Sequence, residues 1–192
     1  MKMTTQTASS PASQGLSVKD MTLIAMSAVL IAICSWITLP IGAVPFTLQT
    51  FGVFAVTVLI GWKRGLIAVC LYILLGAVGI PVFSGFKAGL GVLLGTTGGY
   101  IIGFIAVPLI YLAVTKLLGE HTAVKLLGLF LGDVVVFVFG TVWFIQVYSA
   151  ANGAVSVGQA MAWCVIPFII PDLAKMVLAV LISPRIARAA NL

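Results

Sequence analysis

Residues 166–184 read IPFIIPDLAKMVLAVLISP. Most of this run is apolar enough to lie in lipid, yet it holds Asp172 and Lys175, with Pro167 and Pro171 just before them. An Asp or Lys at the centre of a membrane helix costs about 2.5–3.5 kcal/mol on insertion scales. The two are spaced i,i+3, so they share one helix face. They serve either as an ion pair that satisfies itself inside a bundle or as a polar contact for a ligand. The prolines favour the ligand. Pro171 lacks a backbone N–H and would free a carbonyl one turn upstream. If it opens the helix, Asp172 stands at or near a helix N-terminus, beside exposed backbone donors. Broken helices beside the substrate recur in transporters.

Composition places the stretch in a membrane. The chain has 192 residues, 62% hydrophobic and 7% charged, against about 25% charged in soluble domains. So few charges cannot cover a water-facing surface, and the chain is an integral membrane protein. The net charge of +6 is not a nucleic-acid signal, because the basic residues fall in short gaps between apolar runs. Cys34, Cys70 and Cys164 lie within those runs without metal-ligand spacing and read as small hydrophobes.

The apolar runs number six. Residues 1–19 form a polar segment, rich in Ser, Thr and Gln and expected to be flexible. Residues 20–192 form one transmembrane domain. Its expected spans are about 20–39, 47–60, 66–80, 91–118, 126–148 and 161–186. The first is too long for a signal-peptide core and is read as retained. Backbone groups in lipid must pair internally, so the expected fold is all-α, a polytopic six-helix bundle. With both termini inside, Lys2, Lys19, Lys63, Arg64, Lys116, Lys125, Arg185 and Arg188 lie inside, and only Lys87 lies outside. This bias gives a multi-pass protein of the cytoplasmic membrane with cytoplasmic termini. Asp172 then lies in the outer half of the sixth span, below the outside loops.

Three further stretches bear polar groups near that side. GVLLGTTGGYIIGF has Gly91, Gly95, Gly99 and Gly103 at every fourth position, a small-residue stripe that lets another helix approach. Its insert Thr96–Thr97 and Tyr100 brings hydroxyls that want partners. AVPFTLQTFG carries Pro45, Thr47, Gln49 and Thr50, either an interfacial cap or ligand contacts. PVFSGFKAG carries Phe83, Ser84, Phe86 and Lys87; its Phe and Gly suit a lid over a pocket, while Lys87 is read as solvated. In the first span, AMSAVLIA places Ala25, Ala28 and Ala32 at near-helical spacing, a small face that serves either the core or a second membrane subunit.

Several chemistries lack their residues. No GxxxxGK[ST] loop is present, so the chain has no Walker site of its own. No HExxH occurs, and His121 is the single histidine. With four acids, an intramembrane enzyme using Asp172 and Lys175 as acid and base lacks convergent helpers. Proton relays usually draw on more intramembrane acids than Asp133 and Asp172. No enzymatic activity, metal or cofactor is expected.

VPFTLQTFG, LGAVGIPVFSG, TTGGYIIGF and PFIIPDLAK, in this order, resemble the BioY family, the biotin-specific substrate-binding (S) components of energy-coupling factor (ECF) transporters. The similarity covers nearly the whole chain from Leu23 to about Ile186. It implies a six-helix S-component, biotin capture near the outer face, and energy from a transmembrane coupling protein and two ATPases. It also implies that the small face of the first helix, Ala28 and Ala32 with Ala25 beside them, docks on the coupling protein. The chain departs from the family pattern at Thr96, where a proline often precedes the threonine of TGGY, and at Ile170–Pro171, where proline-glycine often precedes the aspartate. Biotin has a ureido ring at one end, a carboxylate at the other and an apolar middle. On this resemblance Lys175 donates to a biotin oxygen, and Asp172 orients Lys175 or accepts a ureido N–H. Gln49, Thr47, Tyr100 and Thr97 are candidates for the other polar contacts, and Phe46, Phe83 and Trp143 for stacking on the apolar middle. A carrier for a different small vitamin, or one driven by ions without ATPases, is the competing reading.

Overall fold

The computed structural model describes residues 16–40 and 44–189. The expected flexible segment therefore lies mostly outside the described residues. Helix α1 runs Val18–Trp36. It starts where Ser17 and Asp20 form a reciprocal capping box, which satisfies two of the orphan N–H groups of a helix start. A two-stranded antiparallel ribbon follows, β1 (Thr38–Leu39) and β2 (Phe46–Thr47), with Thr38 opposite Thr47. Then come α2 (Gln49–Ala77), a 3-10 turn at Ser84–Phe86, α3 (Leu90–Leu93), α4 (Gly98–Gly103), α5 (Ala106–Leu118), α6 (Thr122–Asn152), α7 (Val157–Cys164) and α8 (Ile166–Ala189). Among the described residues the fold is all-α apart from that ribbon.

Five helical segments are long and apolar enough to cross a membrane, α2 counting as one of them. Yet α2 is a hairpin. Gly61 has φ 79° and ψ 164°, a region essentially reserved for glycine. Gly65 packs so close to Thr57 that a Cβ on it would stand 3.2 Å from the Thr57 Cα. On a continuous helix, residues eight apart are roughly 12 Å apart. Gln49 and Tyr72 also meet, the Gln49 amide donating to the Tyr72 hydroxyl at 2.9 Å. The arms 49–60 and 62–77 are thus the second and third spans, turned within GWKRG as the sequence suggests, and the bundle has six.

Two expected spans are broken. The fourth is divided into α3, α4 and α5. The glycine stripe is divided with it: Gly91 faces open space, whereas Gly99 and Gly103 lie against Trp143, Gly140 and Val136 of α6. A Cβ on Gly140 would overlap the Tyr100 ring, so glycine there brings α4 and α6 into contact. The sixth span breaks at Val165 (φ −123°, ψ −60°), not at Pro171. Pro167 is the cause, since a proline is tolerated in the first turn of a helix and disfavours helix just before it. Pro171 lies inside α8. Asp172 is therefore within the helix and not at its N-terminus, which corrects the expectation drawn from Pro171.

In the bundle, α1 lies on α2; α2 also touches α5 and α8; and α6 touches α4, α5, α7 and α8. Tyr72, Phe54, Phe83, Phe144, Ile31 and Leu129 fill the centre. At one end, Arg64 pairs with Asp20 at 2.5 Å, which sets the Gly61 turn beside the start of α1. At the other end, the Trp36 indole N–H donates to the Pro81 carbonyl at 2.9 Å, and the Thr38 and Ser84 hydroxyls are 3.0 Å apart. The ribbon and the 80–89 loop therefore share that end.

Gly61→Ala is expected to destabilise the protein by about 1–3 kcal/mol, although nothing lies within 4 Å of the added carbon. Gly158→Ala, in α7 and equally uncrowded, is expected to be neutral or stabilising by up to about 1 kcal/mol. Thermal unfolding in detergent checks both; equal midpoints for the two variants would contradict the turn assignment.

Candidate functional site

A cavity of about 210 Å³ opens beneath the ribbon and the 80–89 loop. Much of its wall comes from breaks in regular structure, and the interiors of α6 and α8 complete it. The residues around β2 bring Pro45 and Thr47, the start of α2 brings Gln49 and Thr50, and the loop brings Phe83, Ser84 and Lys87. The α3–α4 break brings Thr96 and Thr97, followed by Tyr100 of α4. Helix α8 supplies Asp172 and Lys175. Irregular backbone at membrane depth is tolerated where it lines a cavity.

The charged pair is the best-defined feature of this wall. Asp172 is 2% exposed and Lys175 5%. Lys175 Nζ lies 2.7 Å from Asp172 Oδ1, 2.7 Å from the Thr47 carbonyl and 2.9 Å from Thr50 Oγ1. An ammonium has three N–H donors, so all three have partners. The Thr50 hydroxyl donates in turn to Asp172 Oδ1 at 2.9 Å. The Phe46 ring lies under the ammonium, its centroid 4.4 Å away, and stacks on Phe168 of α8 at 6.0 Å. A buried pair is strongly destabilising to break, because the remaining partner is left uncompensated. The pair therefore ties the start of α2 and the ribbon to α8. It also means that Lys175 can donate to a ligand oxygen only by giving up one partner.

Other expected contacts divide. Gln49 is 5% exposed and bonded to Tyr72; Tyr100 is bonded to Thr141 Oγ1 of α6 at 2.9 Å. Phe83 is buried with its ring edge-on to Tyr72 at 5.6 Å. These three, with Thr47, Thr97, Asp172 and Lys175, line the cavity. Phe46 stands behind Lys175. Trp143 is off the cavity wall: its indole N–H donates to the Gly95 carbonyl at 3.0 Å. It gives a second donor to a carbonyl of the α3–α4 break that also accepts from the Gly98 N–H at 3.1 Å. Lys87, read as solvated, is exposed yet lines the cavity.

Two wall residues have a larger place here than their sequence motifs show. Thr50 stood in the quoted AVPFTLQTFG motif, but nothing in that motif marks it as the hydroxyl shared by both charges. Asp133 of α6 is 4% exposed and lines the cavity. An acid within an apolar span is a functional signal by itself, which counting acids for a proton relay passed over.

The alanines of α1 do not share one environment. Ala25 is exposed, beside Met26, Val29 and Ile33. Ala28 and Ala32, 1% and 3% exposed, turn into the bundle. A spacing of four shows only that two small residues share a face; here that face packs inside the bundle, so the expected docking surface of Ala28 and Ala32 is closed in this structure.

This architecture has known counterparts. A protein of Thermotoga maritima called biotin transporter BioY is 41% identical over 162 residues, covering 83% of this chain and 90% of that protein. A probable biotin transporter BioY of Pyrococcus horikoshii is 37% identical, covering 88% of this chain and 96% of its own length. A crystal structure of the S-component for biotin from an ECF-type ABC transporter superposes with a TM-score of 0.78 at 28% identity, over 89% of this chain and 92% of that one. Six spans, a cavity under the loops of one end and relatives matched nearly end to end agree with the match of the BioY family model to residues 3–192, and the chain belongs to the BioY family.

Proposed function

We propose that the chain binds biotin in the cavity beneath its loops and acts as the substrate-binding subunit of an ECF-type transporter. The observation that carries this reading is the cavity itself. It sets an ion pair, several hydroxyls and the Gln49 amide among apolar walls, as a ligand with polar ends and an apolar middle requires. The likeness to a biotin transporter and to an S-component for biotin supports the ligand and the role.

Capture begins with biotin entering under the ribbon and the 80–89 loop, taken as the outer side with both termini cytoplasmic. Lys175 gives one N–H to a biotin oxygen in exchange for one of its three partners, while Asp172 holds the ammonium in place. Gln49, Thr97 and Tyr100 supply further polar contacts, and Phe83 covers the apolar middle. The sequence has no Walker motif, so energy for release comes from partners, a transmembrane coupling protein and two ATPases. The open part of α1 around Ala25, with Met26, Val29 and Ile33, is the surface of that helix available to the coupling protein.

Purified, biotin-stripped protein titrated with biotin is expected to saturate with a Kd below about 1 μM, about −8 kcal/mol, read by tryptophan fluorescence and calorimetry. Competition by close biotin analogues but not by thiamine or riboflavin is expected; a flat calorimetric titration would move the ligand to another vitamin. Asp172→Asn and Lys175→Gln are each expected to weaken biotin binding more than about tenfold, or about 1.4 kcal/mol. Wild-type affinity in both variants would leave the pair a purely structural tie.

A further inference from the structure

We infer that Asp133 is a further ligand contact, accepting a ureido N–H of biotin from the α6 side of the cavity. The inference rests on the biotin reading above.

Asp133 is 4% exposed and lies in mid-helix in α6. No hydrogen bond or ion pair to its carboxyl is found among the described residues. No side-chain oxygen among the described residues is fully buried without a partner, so the unbonded carboxyl of Asp133 opens onto the cavities it lines, and ionisable groups in membrane helices mark function. The nearby cation does not serve it, because the three N–H donors of Lys175 go to Thr47, Thr50 and Asp172. Behind Asp133 lies a second cavity of about 420 Å³, bounded by α6, α7 and α8, where Thr141 is the other polar side chain of the wall. That side offers almost nothing to a carboxyl. In front of it lies the candidate site, within Coulombic reach of Asp172 and Lys175.

The chemistry of the missing partner follows. The carbonyl-type oxygen of a carboxyl accepts in either protonation state, so a ligand N–H or O–H can supply the partner that Asp133 lacks. Asp172 Oδ1 already accepts from Lys175 and Thr50. A cyclic urea carries two N–H donors on either side of its carbonyl. Carboxyls on two neighbouring helices, Asp133 on α6 and Asp172 on α8, offer an acceptor to each. The valerate end of biotin is an anion whose oxygens only accept, so it brings no donor to the Asp133 oxygens. The ring end is therefore the end that Asp133 reads.

The test measures biotin and biotinamide affinities of the wild-type chain, Asp133→Leu and Asp133→Asn, together with the melting temperature of each ligand-free protein. Asp133→Leu is expected to weaken both ligands at least tenfold, because both keep the ureido ring, while raising the ligand-free melting temperature. A residue with a merely structural role would not move these two readouts in opposite directions. Asp133→Asn keeps the shape and one acceptor and is expected to lose less; it stands in if the leucine variant fails to fold. Biotin affinity within twofold of wild type in the variants overturns the inference. A loss confined to biotin and absent for biotinamide also overturns it, because it places Asp133 at the carboxylate end. A wild-type chain that does not bind biotin overturns the underlying reading, and this one with it.

Discussion

One ammonium holds three parts of the chain together. Lys175 joins α8 to the carbonyl that ends the β1–β2 ribbon and to the first turn of α2, and its charge is balanced by Asp172 one turn away. In water such a cluster contributes little, because solvent competes for every bond. In a bundle surrounded by lipid, each of these groups would otherwise stand unsatisfied, and the cluster becomes an obligation of the fold. The irregular backbone at residues 44–48 is tolerated here because its carbonyl at Thr47 has this partner.

The same economy explains the other breaks. Where α3 gives way to α4, the Gly95 carbonyl accepts from the Trp143 indole. Where α1 ends, the Trp36 indole and Thr38 hydroxyl reach the 80–89 loop. Helix interruptions cluster around the cavity, and a side chain from another element takes up the polar backbone at several of them. The site thus joins places where regular structure fails to the regular faces of α6 and α8.

Much of this was legible in the residues. Six apolar runs, the reversal at Gly61 and the i,i+3 spacing of Asp172 and Lys175 follow from length, glycine chemistry and helix geometry. Three things were not. The ribbon strands have two residues each, too few for any periodicity. Pro171 and Pro167 both look able to open a helix, and only the position of Pro167 in the first turn of α8 shows which of them does. The direction of a face was also hidden: the spacing of Ala28 and Ala32 is the same whether they point inward or outward, and Trp143 carries the same aromatic signal whether it faces a ligand or a carbonyl. Asp133 was visible as an acid in an apolar run, but its place in the wall depends on how α6 meets α8.

The two indole bonds have an optical consequence. Trp143 grips Gly95, next to the wall residues Thr96 and Thr97, and Trp36 grips Pro81 while stacking on Phe86 at 5.0 Å. Neither ring lines the cavity, yet each is fastened to a segment that does. Light emitted by these rings reports the set of the segments they hold, so a guest that shifts the wall registers without touching either ring. The protein carries two built-in gauges of its own wall, one at the α3–α4 break and one at the 80–89 loop.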